Sequence, residues 1–514
     1  MIATELDKEQ QPERRGDRRV DAPISADAPF CKSSTIFWMV LIAFAVRVSF
    51  LLLLRTYTFE RADDYGVGEA NNIAASIVKG LGFSSPFSSE YTGPTSWVAP
   101  VYPYFVALVF RLFGTMTHAS IICIFTLQSL FSALTVIPIL GIARRTVGRR
   151  AGMCAAWTWI LFPWFSKWAV TWLWEVSLSA LLFSLLGWYA LYFPEALSNH
   201  FRQNLAFRHS LGFGALWGFA LLVNPVLGTL LPVSLAWCIY ELHRSEKESL
   251  NSLHTHSQRR HSEARCVPRN PSSSLNSNPE RFLTPFEMTT RGFFLQTLKP
   301  LLASLLVCAI VISPWLARNR AVFGHWVFLR SNFGAEFALG NYPASFGRGW
   351  GGKHPSGNAR EYSDYKQMGE VAYVQSKQKL GFEFVRQHPA EFLALTAKRA
   401  LYFWDGSAMD YHVTLPWYWV PSSYAVISFL LLPALLVAHR KKLPAWQLFF
   451  GALLLYPIPY YLTYSQARYR HVVEPIILLL IAYAGVETFT KLSSLVRPAN
   501  ELAAVSTPTP SHEN

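Results

Sequence analysis

Three carboxylates lie close together soon after the first long hydrophobic run of the sequence. Asp63, Asp64 and Glu69 fall within the segment 61–74, which follows the apolar run 36–54. A carboxylate beside a membrane span can act as general base for an acceptor hydroxyl or amine, or it can hold a divalent cation. The same spacing is also compatible with an acidic, solvated loop, so it identifies candidates for catalysis and does not by itself define a site.

A further carboxylate, Glu175, stands at the start of another apolar run. It follows Trp172 and Trp174 in the sequence Trp-Leu-Trp-Glu. Tryptophans are enriched where a span meets the membrane surface, and an ionisable residue near a span end often belongs to a functional site. Glu175 is therefore either an interface anchor or a site residue.

Two arginines and a histidine lie at the start of the last apolar run, 471–489. Arg468, Arg470 and His471 lie at the end of that run which we predict to be outside. Because positive residues are normally retained on the cytoplasmic side, arginines on the other side suggest an anionic ligand such as a phosphate, which arginine binds in a bidentate manner. The alternative is that both side chains extend to lipid phosphates.

The composition places these candidates in a membrane protein. Of 514 residues, 51% are hydrophobic and only 15% are charged, whereas a soluble protein carries about 25% charged residues. The apolar residues are clustered into runs of the kind that cross a bilayer. The net charge of +14 does not indicate nucleic-acid binding, because Lys and Arg cluster beside the runs, as membrane orientation requires.

We predict an all-α polytopic membrane protein with about ten transmembrane helices plus one partial helix. The positive clusters 144–150, 243–291 and 439–442 can all be cytoplasmic only if the short apolar segment 98–113 does not cross fully. Both termini are then cytoplasmic as well. This topology leaves a large outer face, which carries all of the candidate residues named above.

The predicted organisation follows this topology. The domains are a disordered cytoplasmic N-terminus (1–34), an N-terminal transmembrane catalytic module (35–242) with an outer loop (55–97), a disordered cytoplasmic loop (243–299), a transmembrane helix (300–317), an extracytoplasmic loop domain (318–416), C-terminal transmembrane helices (417–490) and a cytoplasmic tail (491–514).

Three local patterns predict the elements around the candidates. Residues 70–79 form a short amphipathic pattern, which predicts a helix lying on the membrane surface. The segment 209–242 is too long for one crossing and contains Asn224-Pro225, so we expect two short helices that meet at this break. In the outer loop domain we expect helices near Tyr362–Leu380 and Pro389–Phe403.

At these residues the sequence resembles the membrane-embedded glycosyltransferases of the GT-C fold, the group that contains the protein O-mannosyltransferases and the aminoarabinose transferases. The resemblance spans residues 36–489. It is carried by the acidic first loop with Asp63, Asp64 and Glu69, by Gly80-Leu-Gly-Phe83, Pro100-Val-Tyr-Pro103, Glu175 and Pro314-Trp-Leu-Ala-Arg318-Asn319, and by Arg468-Tyr-Arg470 followed by Glu474-Pro475. In the family a tyrosine follows the first-loop aspartate after a few residues, whereas Tyr65 directly follows Asp64 here.

The resemblance implies transfer of a hexose or pentose from a polyprenyl-phosphate-linked donor to a glycan, lipid or protein acceptor. Glu69 or Asp64 would deprotonate the acceptor, and Glu69 is favoured because it heads the amphipathic helix. Glu175 would position the acceptor or share a divalent metal with Glu69. The substrate-binding residues would be Asp63, Tyr102, Arg468, Arg470 and His471, and the two arginines would offset the charge of the leaving lipid phosphate.

The resemblance also implies an inverting, one-step displacement in the bacterial inner membrane, with the active site facing outside and no role for nucleic acid. Two other functions fit a membrane protein of this kind. A transporter of a small solute or lipid needs polar residues along a path through the membrane, and the apolar runs hold few besides Lys167 and the Asn224-Pro225 break. A ligase of preassembled lipid-linked glycans would differ only in the group that it transfers.

Overall fold

The structure is a computed structural model that describes residues 30–58, 68–198, 203–264, 289–343, 345, 352–406 and 419–505. Asp63 and Asp64 lie outside these residues, as does nearly all of the predicted N-terminal segment 1–34. Within the described ranges, the only β-type pairing is an isolated bridge between Ser84 and Pro94. The predicted all-α class is confirmed.

The described part of the chain contains twenty α-helices. The first ten are α1 (Ser33–Leu54), α2 (Glu69–Val78), α3 (Val101–Phe113), α4 (His118–Leu134), α5 (Val136–Arg145), α6 (Gly148–Leu161), α7 (Pro163–Thr171), α8 (Val176–Ser198), α9 (Gln203–Val223) and α10 (Leu231–Ala264). The others are α11 (Thr289–Phe323), α12 (Phe333–Gly340), α13 (Ala359–Met368), α14 (Glu370–Gln387), α15 (Pro389–Asp405), α16 (Trp419–Arg440), α17 (Trp446–Leu455), α18 (Ile458–Leu462), α19 (Ala467–Arg470) and α20 (Glu474–Val505).

Seven helical segments of the described chain are long and apolar enough to cross a membrane. They are Ser33–Leu54, His118–Arg145, Val176–Leu197, Pro225–Ser245, Leu298–Phe323, Ser423–Arg440 and Ala467–Ser494. The 13 residues of α3 extend over about 20 Å, less than the hydrocarbon core of about 30 Å, as an incomplete crossing requires. The total of about ten crossings stays a prediction for the shorter and interrupted helices.

The predicted break at Asn224 is present. Helix α9 ends at Val223, and a 3₁₀ turn over Pro225–Leu230 leads into α10. The Asn224 Oδ1 atom accepts a hydrogen bond of 3.1 Å from the Val226 amide, while its Nδ2 atom donates to the Ser179 hydroxyl at 3.2 Å. The side-chain oxygen of Asn224 therefore caps the start of the 3₁₀ turn, and its nitrogen connects the break to α8.

Two sequence predictions differ from the structure at the edges of the loop 243–299. Helix α10 continues to Ala264, and α11 begins at Thr289, so both ends of this loop are helical where disorder was expected. Arg244 contacts Glu241 at 3.5 Å and Glu248 at 3.0 Å along α10, and pairs at this spacing stabilise a helix. Residues 265–288 lie outside the described residues.

The short helix α2 forms as predicted, and part of its apolar side packs against α3. Ala70 and Ala74 are buried in one cluster with Tyr102 and Val106 of α3. The position of residues 70–79 along the membrane surface stays a prediction, and α3 covers part of the face that periodicity marks as apolar.

The segments that connect the helices at one end of the molecule contact one another, and we call this end the loop side. It consists of residues 68–100, 172–175, the described residues of 324–406, and 463–467. The Ser331 amide donates to the Ser96 carbonyl at 2.9 Å, and the Asn341 side chain donates to the Leu462 carbonyl at 2.9 Å. Helices α13, α14 and α15 cover the two regions predicted to be helical, and α12 was not predicted.

A buried carboxylate connects the first loop to the later part of the loop side. Glu370, the first residue of α14, accepts hydrogen bonds from the Thr95 and Ser331 hydroxyls, the Ser96 amide and the Tyr365 hydroxyl. Burial raises the pKa of Glu370, and these four donors counteract the rise because they favour the charged carboxylate. Glu370 therefore holds the segment that leads into α3.

The Arg318-Asn319 pair at the end of α11 holds the same loop. Arg318 donates to the Thr95 carbonyl at 2.7 Å and to the Phe83 carbonyl at 2.9 Å. Asn319 donates to the Ser96 hydroxyl at 3.1 Å. These motif residues thus position the backbone of the first loop.

Replacing Gly340 by alanine is expected to destabilise the loop side by about 1–3 kcal/mol or more, because the added methyl group overpacks a filled contact. A Cβ atom on Gly340 would lie 1.8 Å from the Thr463 carbonyl oxygen, next to the buried Arg399 guanidinium that binds the Gly340 carbonyl. Thermal unfolding in detergent measures the effect. Gly357→Ala is the matched control, since a Cβ there meets nothing within 4 Å; equal melting temperatures for both variants would contradict this packing.

Candidate active site

Glu69 is the first residue of α2, so its carboxylate lies where a helix favours negative charge. Its side chain is buried, with only 6% of its surface exposed. The preceding residue, Gly68, packs under the indole ring of Trp174, and a Cβ at Gly68 would lie 2.7 Å from that ring. This close approach places Glu69 beside the turn that carries Glu175.

The carboxylate of Glu69 meets the imidazole of His354. Glu69 Oε1 and His354 Nε2 are 3.3 Å apart, and both side chains are almost fully buried. The imidazole also makes edge-on contacts with Phe87 at 5.3 Å and Trp97 at 6.0 Å between ring centroids. His354, in the segment 352–358, thus contacts both the candidate base Glu69 and the aromatic residues Phe87 and Trp97 of the first loop.

Glu175 lies in the turn between α7 and α8, within the electrostatic reach of three charged residues. Burial raises the pKa of the Glu175 carboxyl, Arg330 and Arg468 lower it, and the nearby Glu69 raises it. Two carboxylates and two guanidinium groups therefore share one region of the loop side. The structure brings together Glu69, Glu175 and Arg468 from three distant parts of the sequence.

Tyr102 is connected to the turn that carries Glu175 through Gln128. Its hydroxyl donates to Gln128 Oε1, and the Gln128 amide donates to the Trp172 carbonyl at 2.9 Å and the Ala169 carbonyl at 3.0 Å. The hydroxyl that we expected to bind substrate is thus engaged in positioning the turn that carries Glu175, although the Glu175 charge also reaches it.

The two arginines of the Arg-Tyr-Arg motif have different surroundings. The Arg468 guanidinium lies over Trp172 at 4.7 Å and Trp174 at 5.4 Å from the ring centroids, and 4% of its surface is exposed. Its charge also acts on Glu175. Stacking on two tryptophans holds a guanidinium in a fixed orientation, so Arg468 is preorganised beside the candidate acids.

Arg470 lies elsewhere. Its guanidinium is fully buried, donates to the Tyr424 carbonyl at 3.0 Å and the Ser428 hydroxyl at 2.8 Å, and lies 2.7 Å from the Glu474 carboxylate. These contacts connect α19 and α20 to α16. The structure does not bring Arg470 to Glu69 or Glu175.

His471 is also remote from the candidate acids. Its ring stacks on Trp159 at 4.9 Å between centroids, on the side of the bundle where Arg47 of α1 binds the Trp159 carbonyl. Within the described part of the chain, neither ring nitrogen of His471 has a hydrogen-bond partner. The structure therefore places His471 in the helix core.

Sequence reasoning missed two charged residues of this region. Glu336, on α12, accepts a hydrogen bond of 2.8 Å from the Asn332 amide. Burial raises the pKa of Glu336, while His354 and Arg330 lower it and Glu69 raises it. Arg330 is the cation that acts on both Glu175 and Glu336. Nothing in the spacing around 330–336 connects this segment to the first loop, so no local signal could have identified it.

Four tyrosines surround the same region. Tyr460 and Tyr469 stack with their ring centroids 4.2 Å apart, and the Tyr469 hydroxyl donates to the Tyr464 hydroxyl at 3.2 Å. The charge of Glu175 reaches Tyr456 and Tyr460. Aromatic faces and phenol hydroxyls therefore lie beside the charged groups, a combination suited to binding a polar ligand such as a sugar.

A metal site shared by Glu69 and Glu175 stays a prediction. Among the described residues, no group of three or more His, Cys, Asp or Glu side chains could hold a metal ion. Asp63 and Asp64 lie outside those residues, so this observation concerns only the groups that the structure describes.

The sequence model of the family dolichyl-phosphate-mannose-protein mannosyltransferase matches residues 97–256. The expected resemblance to membrane glycosyltransferases is confirmed. The matched range holds Tyr102 and Glu175, begins after Glu69 and ends before Arg468, and it covers less than half of the chain. No curated protein sequence matches the chain.

Solved structures of two kinds resemble this fold. The archaeal oligosaccharyltransferase AglB from Archaeoglobus fulgidus, solved with an inhibitory peptide and a dolichol-phosphate, aligns with a TM-score of 0.44 at 13% identity, over 93% of this chain and 53% of its own. ArnT from Cupriavidus metallidurans, solved bound to undecaprenyl phosphate, aligns with a TM-score of 0.35 at 13% identity, over 93% of this chain and 82% of its own. The chain spans about half the length of the oligosaccharyltransferases, and these overlaps are too loose to place individual residues.

Proposed function

We propose that this chain is a membrane glycosyltransferase that moves a sugar from a polyprenyl-phosphate donor to an acceptor, with inversion. The observation that carries the proposal is that Trp174 packs against Gly68, next to Glu69, and under the Arg468 guanidinium, while Glu69, Arg330 and Arg468 act electrostatically on Glu175. A base for the acceptor and cations for a lipid phosphate are the two groups that this reaction needs. The family match to transferases of dolichyl-phosphate-mannose supports the donor class.

The reaction proceeds in one displacement. Glu69 takes the proton of an acceptor hydroxyl or amine as that atom bonds to the anomeric carbon of the sugar. The bond between the anomeric carbon and the phosphate oxygen breaks, and polyprenyl phosphate leaves with one more negative charge. Arg468 offsets this charge, with Arg330 beside it, because fixed cations stabilise a charge that develops in the transition state.

Glu175 is proposed to position the acceptor. Burial favours its neutral form, and Arg330 and Arg468 favour its charged form, so the state of Glu175 responds to the phosphate that these arginines bind. Asp64 remains the alternative base, and a divalent metal shared by Glu69 and Glu175 remains an alternative role for the pair. The transferred sugar is proposed to be a hexose or a pentose. The carboxylates do not distinguish the two, because that choice depends on contacts to the sugar ring.

The loop side is proposed to face outside, in a bacterial inner membrane. Arg145, at the end of α5, contacts Glu195 near the end of α8, and Lys441, just after α16, contacts Glu487 of α20 at 2.9 Å, both remote from the loop side. Positive residues concentrated at these ends would be cytoplasmic. A lipid-linked donor displayed on the outer leaflet would then reach Glu69.

The transporter alternative has one candidate observation, the buried Arg47 in the middle of α1. Its guanidinium donates to the Ser132 hydroxyl at 2.7 Å, the Ala43 carbonyl at 3.0 Å and the Trp159 carbonyl at 3.1 Å. Because Arg47 is engaged on all sides by helix contacts, it connects α1 to α4 and α6 and does not favour a transport path.

Mass spectrometry of envelope lipids, glycans and glycoproteins from a deletion strain tests the proposed function. We expect one species to lose a single sugar residue, and we expect the wild-type gene to restore it while Glu69→Gln does not. Loss of a preassembled oligosaccharide would indicate a glycan ligase instead. An unchanged set of lipids, glycans and glycoproteins would contradict the proposal.

A further inference from the structure

His354 occupies a position that the proposed mechanism does not yet use. It lies in the turn 352–358, far from Glu69 in sequence, and only 4% of its surface is exposed. Its Nε2 atom is 3.3 Å from Glu69 Oε1. A buried imidazole that contacts a candidate general base can either share its proton or fix its orientation.

The hydrogen bonds of the ring decide which nitrogen carries the proton. The Ser356 amide donates to His354 Nδ1 at 3.2 Å, so Nδ1 acts as an acceptor and the ring proton is on Nε2. That nitrogen lies 3.3 Å from the Glu69 carboxylate. The distance is slightly longer than an ordinary hydrogen bond, as contacts in substrate-free sites often are before they tighten in the complex.

The ring itself has little freedom to move. Phe87 meets it edge-on at 89° between the ring planes, and Trp97 at 78°. If this N–H binds Glu69 Oε1, Oε2 is left as the atom that can face an acceptor. Without it, the carboxylate could rotate about its terminal torsion, which has a broad range of accessible angles.

We propose that His354 is a positioning residue for Glu69: its Nε2–H binds Oε1 and thereby directs Oε2 to the acceptor proton. The inference rests on the proposed function, since it assigns His354 a role only in that reaction. His354 acts through Glu69 and does not take the acceptor proton itself, because its Nε2 already carries a proton and its Nδ1 is bound to the Ser356 amide.

Two variants separate the N–H donor from the shape of the ring. His354→Phe keeps an aromatic ring between Phe87 and Trp97 but removes the donor, whereas His354→Gln keeps an N–H near the position of Nε2. The assay uses the purified chain in nanodiscs, undecaprenyl-phosphate-linked radiolabelled mannose, galactose and arabinose as donors, and membranes of a deletion strain as the source of acceptor. We expect His354→Phe to lower kcat by up to roughly 100-fold, the cost of a misplaced catalytic group, with an unchanged KM for the donor. His354→Gln should recover part of the loss.

A double variant tests whether His354 acts only through Glu69. If it does, Glu69→Gln with His354→Phe is no slower than Glu69→Gln alone, because groups that act as a unit are not additive. Melting temperatures of all variants control for folding. Wild-type kcat in His354→Phe, or an equal loss in His354→Gln and His354→Phe, would overturn the inference while a slow Glu69→Gln still supported the proposed function. Full activity of Glu69→Gln would instead overturn the base assignment and the inference together.

Discussion

Replacing Glu69 by glutamine is expected to lower the rate of sugar transfer by about 10²- to 10⁴-fold, the range that a positioned general base contributes. The amide keeps the size of the side chain and can still accept a hydrogen bond from His354, but it cannot take a proton from the acceptor. Glu69 is buried at the start of α2 and contacts His354. The fold should persist in the variant because glutamine fills the same space and keeps this contact. Initial rates of label transfer from undecaprenyl-phosphate-linked sugars measure the effect.

Asp64→Asn is the matched control, since Asp64 is the alternative base in the same loop. We expect Asp64→Asn to retain most of the activity and Glu69→Gln to lose it. The reverse pattern would move the base to Asp64 and leave the proposed reaction intact. Wild-type rates in both variants would exclude the first-loop acids as catalytic groups.

Replacing Arg468 by glutamine is expected to lower kcat by about 10²- to 10³-fold, comparable to the loss of one preorganised charge-stabilising group. Arg468 is fixed by Trp172 and Trp174 and acts on Glu175, so it is the cation best placed to meet a leaving phosphate. Binding of undecaprenyl phosphate, measured by native mass spectrometry, should weaken in parallel. Lysine at this position should recover only part of the rate, because it lacks the planar fork of arginine.

Arg470 provides the contrast, because it belongs to the same motif. Removing its guanidinium leaves Glu474 buried without its partner, and breaking a buried pair costs about 3–5 kcal/mol. Arg470→Gln should therefore lower the melting temperature, whereas Arg468→Gln should lower catalysis at nearly constant stability. An Arg468 variant that is as active as the wild type, together with a stable and inactive Arg470 variant, would reverse the assignment of the two arginines.

These two arginines also show what the sequence can and cannot establish. Positive-inside reasoning singled out both of them, because it depends only on charge and on the order of the spans. It could not separate them, since their different contacts depend on α16, Trp172 and Trp174, which are distant in sequence. The motif therefore identified the phosphate-binding candidates as a pair, and the tertiary contacts favour Arg468.

The acidic residues were predictable for a local reason. Glu69 stands at the head of an amphipathic helix, and Glu175 follows two tryptophans at the start of an apolar run, so both can be found from neighbouring residues alone. Arg330, Glu336 and His354 could not be found in this way. Each reaches Glu69 or Glu175 because Glu370, Asn319 and Arg399 hold the described residues of 324–406 against the first loop and α18.

The helical frame was largely predictable because long apolar runs have few alternatives in a bilayer. The break at Asn224 followed from a proline in an overlong run, and the short α3 followed from the distribution of positive charge. Amphipathicity indicated that one face of α2 is buried, but it could not show that α3 covers part of that face. The extent of α10 exceeded the prediction since its charged pairs support a helix beyond the apolar residues.

The most direct test of the central claim is a stoichiometric one. The purified chain in nanodiscs is given an undecaprenyl-phosphate-linked radiolabelled sugar and deletion-strain membranes, and both the label in the acceptor fraction and the undecaprenyl phosphate released are counted. We predict equal amounts of the two products for the wild type and background amounts for Glu69→Gln. Absence of transfer from every donor of the mannose, galactose and arabinose panel, or equal transfer by wild type and Glu69→Gln, would contradict the account.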